Sequence, residues 1–475
     1  MKWNKKSPVE APVLFEIDPE PIQGGITASA GLTLVAETLR GLRLGLSANR
    51  HLDIKQRQRG FDEGTYLESF VLLNAAGGDC LDDFEQLRED QALAQLVGHK
   101  FPSAEAARKF LYAFHDEEKL QEAQQRLGPE QSSYIPGESR QLQGLGQVNV
   151  DLVQELGRRC ADQKTATIDV DGTIIESYKR EALKTYEGEK GYQPVLALWA
   201  EMDVIVADQF RDGNVPALQD PLSVAKQAYQ ALPEDIERYY YRGDTGCYEG
   251  NLMRWLRNGK RAEGPQGYIG FAIGARVNEP LRKMARMLPE ALWKPYREDS
   301  EVTMECAELL NYDPLDKQAG EELDQVRYLV MRVRHRQGML YGGETKYFAV
   351  VTNMFGSWTA RQVLEWHREK AGTIEAIHDV LKNELAAGVM PCARFGANAA
   401  WFRMAVIAHN VLTAMKRLAL KPELLRARPK RLRFLFINVA GRLVMHARKM
   451  VLRLGTAEQR IQQWLQARPL LAAAN

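Results

Sequence analysis

From about Leu32 to Leu120 the chain sets Leu, Val, Phe and Ala at three- and four-residue spacings, as in "LTLVAETLRGLRLGL", "YLESFVLLNAAGG" and "SAEAARKFLYAFHDEEKL". That spacing lines the apolar side chains along one face of a helix. It predicts an all-helical N-terminal domain over residues 1–126, with Ser103 as an N-cap and Glu105 in the first turn behind it. The first 30 residues are broken by Pro and Gly and read as an extended arm. The pattern stops at "RLGPEQSSYIPGESRQLQGLGQ", a Pro-, Gly-, Ser- and Gln-rich linker over residues 127–147, and "DLVQELGRRC" supplies one more helix. Shorter apolar runs follow. "TATIDVD", "QPVLALWAEMDVIVADQF" and "IERYYYRGD" predict strands, the second a hairpin with Asp203 near its turn. "EGNLMRWLRNG" returns to helix and ends at Gly259. From Gly267 to Met354, "GYIGFAIGARV", "VRYLVMRVRHR" and "KYFAVVTNM" are strand-like around the Gly-rich "HRQGMLYGGETK". They form either a β-rich insertion (residues 261–355) or a continuation of the first sheet (148–260). From Thr359 the chain reads as helix almost to its end, through residues 356–415 and a basic region over 416–475. The class is α/β.

Composition narrows the field. With 475 residues, 45% hydrophobic and 26% charged, the chain has a soluble globular profile and length for roughly two to four units. It contains no apolar run long enough to cross a membrane as a helix, and its charged start lacks the apolar core of a secretion signal. A cytoplasmic protein is expected. The five cysteines are dispersed, without a Cys-x-x-Cys pair, which argues against a zinc site or a disulfide framework. Net charge is only +1, but from Lys416 to Arg453 about a dozen Lys and Arg face a single acid, Glu423. That asymmetry suggests a polyanionic partner.

Three acidic signals carry candidate chemistry. "ATIDVDGT" closes a strand with Asp169 and Asp171, which alternation places on one face with Thr167. Two carboxylates at one strand end call for a cation, and oxygen donors suit Mg2+. "YRGDTG" puts Asp244 where a second strand stops. In "REKAGTIEAIHDVLKNELAAG", helical geometry aligns Glu375, His378, Asp379 and Lys382 beside an apolar face of Ile374, Ile377 and Leu381. A haloacid-dehalogenase-type phosphatase would use Asp169 and Asp171 together, with Lys226 and Glu249 completing its site. It has no use for the Glu375 helix. A ribonuclease H-like core uses two strand-borne aspartates and a helical acid, so it takes all three signals.

From about Leu32 to Lys416 the chain resembles DDE transposases of bacterial insertion sequences, and among them the insertion-sequence family numbered 1380. The resemblance is carried by "TIDVDGT", "YRGDTG", "CLDDFEQLREDQALAQLVG" and above all "AGTIEAIHDVLKNELAAGVMPCARFGANAAWFRMAVIAHNVL". Glu375 and Lys382 match a Glu-(six residues)-Lys signature. Ala371 stands where the family usually has Arg, with Arg368 one turn earlier, and His409 stands where Tyr is common.

The resemblance implies a ribonuclease H-like catalytic core in which Asp171, Asp244 and Glu375 hold two Mg2+ ions, with Mn2+ able to substitute. Asp169 is the alternative first acid. The implied activity is strand cleavage at terminal inverted repeats and 3′-OH transfer into target DNA, by two-metal phosphoryl transfer. Arg242, Arg368 and Lys382 are the candidate cations at the scissile phosphate, although Arg242 could equally pair with a core carboxylate. Arg428, Lys430, Arg431, Arg433, Arg448 and Lys449 are candidates for holding the DNA backbone. Paired element ends imply at least a homodimer, working on double-stranded DNA beside the bacterial nucleoid. A phosphatase and a catalytically inactive, transposon-derived DNA-binding protein remain as alternatives.

Overall fold

The run "TATIDVD" forms strand β1 (Thr165–Gly172), and the architecture is arranged around it. In this computed structural model the described residues are 17–20, 24–55, 59–128, 132–298, 302–315, 322–335 and 345–472. The predicted hairpin follows as β2 (Val195–Trp199) and β3 (Val204–Gln209), and β2 runs antiparallel to β1. Asp203 takes the left-handed conformation, φ 56°, at the hairpin turn. Helix α1 (Pro221–Ala231) then carries the chain back to β4 (Arg238–Gly243), which pairs parallel to β1. Helix α2 (Gly250–Arg257) makes a second crossover to β5 (Ile269–Ala275), parallel to β4. Parallel neighbours need such crossovers because their ends lie at opposite edges of the sheet.

The β-rich segment is a continuation of this sheet. Strands β6 (Lys294–Glu298), β7 (Val302–Leu309), β8 (Arg327–His335) and β9 (Lys346–Thr352) form an antiparallel meander that joins β5 through β9. The nine strands run in the order β6-β7-β8-β9-β5-β4-β1-β2-β3. A boundary at residue 261 therefore separates β5 from β4, the strand it pairs with in parallel. Most of the Gly-rich turn region between β8 and β9 lies outside the described residues.

The N-terminal helices do not stand apart as their own domain. After helices α3 (Ala360–Arg368) and α4 (Ile374–Glu384) comes α5 (Phe395–Ala419), buried at every position from Phe395 to Lys416. Helices Leu32–Gly41, Glu63–Ala76 and Arg140–Arg159 pack on it, and one apolar core runs from them into the sheet. Phe70 meets Trp401 edge to face with ring centroids 6.0 Å apart. A helix buried all round must satisfy its polar side chains inside. Asn410 does so by accepting from the Ile205 N–H (2.9 Å) and donating to Asn149 Oδ1 (2.8 Å), while Arg403 binds Asp208 (2.9 Å) and Glu138 (2.7 Å). The predicted linker is shorter than its composition suggested, because helix Arg140–Arg159 begins inside it with Ser139 as N-cap.

The C-terminal region departs from the helical expectation. A hairpin, β10 (Gly441–His446) and β11 (Lys449–Leu454), extends the short strand Ile26–Thr27 of the N-terminal arm into a three-stranded sheet. "RLVMH" and "KMVLRL" each hold three consecutive apolar residues flanked by basic ones, a run too short and unpatterned to separate strand from helix by periodicity.

Candidate active site

Parallel pairing of β1 with β4 sets Val170 beside Gly243, so the next residues, Asp171 and Asp244, emerge together at the strand ends. Neighbouring strands lie about 4.8 Å apart, which makes such a pair electrostatically coupled. Gly243 allows the tight turn behind it, since a Cβ there would lie 2.5 Å from Cys247 Cβ. Asp244 Oδ1 accepts from the Gly246 N–H at 2.9 Å, which fixes the carboxylate at the start of that turn. Burial pushes the Asp171 carboxyl up to about 6, with the charges of Asp244 and Glu375 adding to the rise and Lys370 opposing it. Three acids from two strands and a helix thus share one electrostatic environment.

Asp169, the alternative first acid, is fully buried and already engaged. Arg242 clasps it with two bonds, Nε to Oδ1 at 2.6 Å and Nη2 to Oδ2 at 2.9 Å, and the Thr373 hydroxyl donates to the same carboxylate. Arg242 also donates to the Trp366 carbonyl (2.7 Å) and lies over the Trp366 ring. Of the two readings of Arg242, contact with DNA or pairing with a core carboxylate, the geometry corresponds to the second, because the guanidinium is inside the protein with its donors committed. Together with a 2.9 Å bond between His367 Nε2 and the Gly243 carbonyl, these contacts fasten the α3–α4 connection to the sheet. Thr373 stands at the N-cap position of α4, so Asp169 and Arg242 determine where Glu375, in the first turn, is presented.

Helix α4 then lays three side chains against the strand end. Ile374, Ile377 and Leu381 are buried as expected, and Glu375 is exposed. Lys382 donates to Thr173 Oγ1 at 3.0 Å, just past Asp171, so the predicted cation reaches the site. His378 is buried with Nε2 3.7 Å from Asp171 Oδ2, and neither ring nitrogen has a hydrogen-bond partner. Burial, with the Lys382 and Lys370 charges, pushes it down to about 3, so the ring is neutral at physiological pH.

Lys370 was not singled out in the sequence, and its buried ammonium lies 3.3 Å from Asp171 Oδ2. It falls in the short turn between α3 and α4, where no periodicity marks it.

The remaining cations divide. Arg368 is exposed at the end of α3. Arg428 pairs with Glu384 (2.6 Å) and Asp379 (2.5 Å) of α4. Lys430 and Arg431 are exposed, the latter over the Phe434 ring. Arg433 is corrected from DNA contact to a structural role. Its guanidinium donates to the carbonyls of Asn74 (2.8 Å), Ala75 (2.9 Å) and Glu384, satisfying the open ends of two helices. Arg448 and Lys449 are exposed at the β10–β11 turn. The phosphatase candidates have other work: Lys226 pairs with Glu263 (2.8 Å), and Glu249 caps α2 through the Asn251 and Leu252 amides.

Carboxylates that repel one another at a half-open strand end, with a lysine as internal counter-charge, are a donor set suited to a hard divalent cation. Asp79, Cys80 and Asp83 form the tighter group among the described residues, with ligand atoms all within 4.8 Å of one another. That group is explained locally, because Asp83 accepts from the Asp79 (2.8 Å) and Cys80 (3.2 Å) amides as a cap. Among the described residues no helix is long and apolar enough to cross a membrane.

A comparison with curated protein sequences found no match. Among solved structures, the chain is similar to the piggyBac transposase in a cryo-EM synaptic complex with hairpin DNA. The two are 11% identical, with a TM-score of 0.45, over 87% of this chain and 82% of that one. The family model described as "Transposase DDE domain group 1" matches residues 22–467, nearly the whole sequence, and the chain therefore belongs to the DDE transposases.

Proposed function

We propose that Asp171, Asp244 and Glu375 are the catalytic acids of this transposase, within a ribonuclease H-like core, and that the chain belongs to the insertion-sequence family numbered 1380. The observation that carries the reading is the meeting of two paired strand ends with the first turn of α4, where burial and the neighbouring acids raise Asp171. The strand order β3-β2-β1-β4-β5, three antiparallel strands followed by two parallel ones, supports the ribonuclease H-like assignment. The three carboxylates would hold two Mg2+ ions, or Mn2+ in their place. Bound there, the ions supply Lewis acidity for the attacking water, the phosphate and the leaving 3′ oxygen.

The protein's own residues do the positioning. Asp169, Arg242 and Thr373 hold α4 in place, so that Glu375 faces the strand ends without a rearrangement. Lys370 neutralises part of the charge on Asp171. Lys382, which donates to Thr173 Oγ1, would bind a nonbridging oxygen of the scissile phosphate, and Arg368 on the exposed end of α3 a neighbouring one. The substrate is double-stranded DNA ending in inverted repeats, with target DNA accepting the freed 3′-OH. Two such ends favour a homodimer. The setting is the cytoplasm of a bacterium, at the nucleoid.

The deciding experiment incubates the protein with Mg2+ and a duplex taken from the DNA flanking its gene, comparing wild type with Glu375→Ala. Nicking at the element end that disappears in the variant is the expected result. Retained nicking moves the third acid elsewhere, with Glu369 and Asp379 next in line. Absence of nicking in both, with phosphatase activity lost in Asp169→Ala, refutes the reading.

A further inference from the structure

The hairpin β10–β11 takes no part in the acidic site, yet three of its features are unfavourable for a hairpin that faces only water. Its register sets Arg442 opposite Arg453 and His446 opposite Lys449. Residues directly opposite in an antiparallel pair share a face, and the like charges of Arg442 and Arg453 weaken the pairing. All four side chains are exposed, and neither strand contains an acid. The turn is made by Ala447 (φ 47°) and Arg448 (φ 63°), both in the left-handed region that two-residue hairpin turns normally give to Asn or Gly. A second cationic side chain thus occupies the tip at the expense of turn geometry. On the other face, Leu443 and Leu452 pack at the root, while Met445 (67% exposed) and Met450 (51%) stand in solvent further out.

The root is firmly held. Arg442 pairs with Ile26 and Gly441 with Thr27, Leu443 N–H donates to the Gly25 carbonyl (2.6 Å), and Gly455 N–H to that of Ala440 (2.7 Å). The segment just before the hairpin is bound to α4 through Arg428 and Arg433.

We propose that β10–β11 is a two-stranded ribbon that enters the major groove of duplex DNA, its cationic face and tip meeting the phosphates and base edges. The major groove is about 12 Å wide and admits such a ribbon, whose strands are about 4.8 Å apart. Charge complementarity selects this occupant: the polyanion relieves the Arg442–Arg453 repulsion and meets the cations of Arg448 and Lys449 at the tip. The inference rests on the transposase reading and deepens it by naming the element that grips the duplex.

The test uses the full chain and a duplex of roughly 40 base pairs from the DNA flanking the gene. Wild type is compared with Arg442→Gln/Lys449→Gln/Arg453→Gln, and with Lys283→Gln/Arg286→Gln on helix Glu279–Met287 as a surface control. Each neutralised phosphate contributes about 0.9 to the slope of log affinity against log salt, so the ribbon variant is expected to lose about 2 to 3 from that slope, and the control none. Dimethyl sulfate, which methylates guanine N7 in the major groove, should show protection by wild type and the control that the ribbon variant loses.

An unchanged slope overturns the proposal. So does a reduced slope with no N7 protection by wild type, which would mean a ribbon lying along the backbone. If wild type nicks the element end while the ribbon variant binds like wild type, only the ribbon inference falls. If wild type neither binds nor nicks the duplex, the transposase reading falls with it.

Discussion

Replacing Asp171 with Asn should remove activity and, at neutral pH, make the protein harder to unfold. The carboxyl is pushed from 3.8 to about 6, chiefly by burial, and its side chain is only 15% exposed. At about 1.4 kcal/mol per pH unit, the charged form is disfavoured by about 3 kcal/mol relative to the unfolded chain. The sign follows from which state loses its proton first. The folded value lies above the unfolded one, so as pH rises the unfolded chain ionises first, and stability present below about pH 4 is lost between about pH 4 and 6. Asn keeps the shape without the charge. Its urea midpoint at pH 7.5 should therefore exceed that of wild type by an amount worth up to about 3 kcal/mol, and the difference should vanish near pH 4. Added Mg2+ should raise the wild-type midpoint and leave that of the variant unchanged. Asp169→Asn should do the reverse. It leaves the buried Arg242 guanidinium without its anion, a loss of about 3–5 kcal/mol. If the two substitutions move the midpoint in the same direction at pH 7.5, the division of labour between Asp169 and Asp171 is wrong.

Lys382→Ala should slow single-turnover nicking by about a hundredfold with the unfolding midpoint nearly unchanged, if its ammonium beside Thr173 serves the scissile phosphate. A variant that unfolds early but nicks normally would make Lys382 structural. Arg433→Met removes the guanidinium from three helix-end carbonyls, of which that of Asn74 keeps the Gly77 N–H, and should destabilise by about 1–3 kcal/mol. Hydrogen exchange should rise at the end of helix Glu63–Ala76, and unchanged exchange there would refute the capping role. Asp83→Ala should lower stability by about 1 kcal/mol as a lost cap and leave the Mg2+ dependence of nicking as it was. A shifted Mg2+ requirement would mean that the Asp79–Cys80–Asp83 group binds the ion.

The three acids could be picked out in the sequence because each sits at a punctuation point: a strand end before Gly-Thr, a strand end before Thr-Gly, and a first helical turn after Gly-Thr. Roles within the site were harder to read. Asp169 and Asp171 differ by two positions and share a strand face, so local pattern treats them alike, and only the partner that meets each one separates them. Arg433 looked like its exposed neighbours, and Arg242 stayed open between DNA and a core carboxylate, because sequence records a charge and not its burial. Lys370 escaped notice because it lies in a turn.

The hydrophobic periods by themselves determined the helical start, the strand segments around "TIDVDGT", the Asp203 hairpin and the helix of Glu375, since these depend on contacts within about a turn or a strand. Tertiary structure alone decided the rest. It merged the β-rich segment into the first sheet, buried α5 against the N-terminal helices, made β10 pair with Ile26–Thr27, and gave Asp169 to Arg242 and Lys370 to Asp171. Those choices depend on pairings between residues distant in the chain, whose energies come from burial and charge in a shared interior, and no local window of residues contains them.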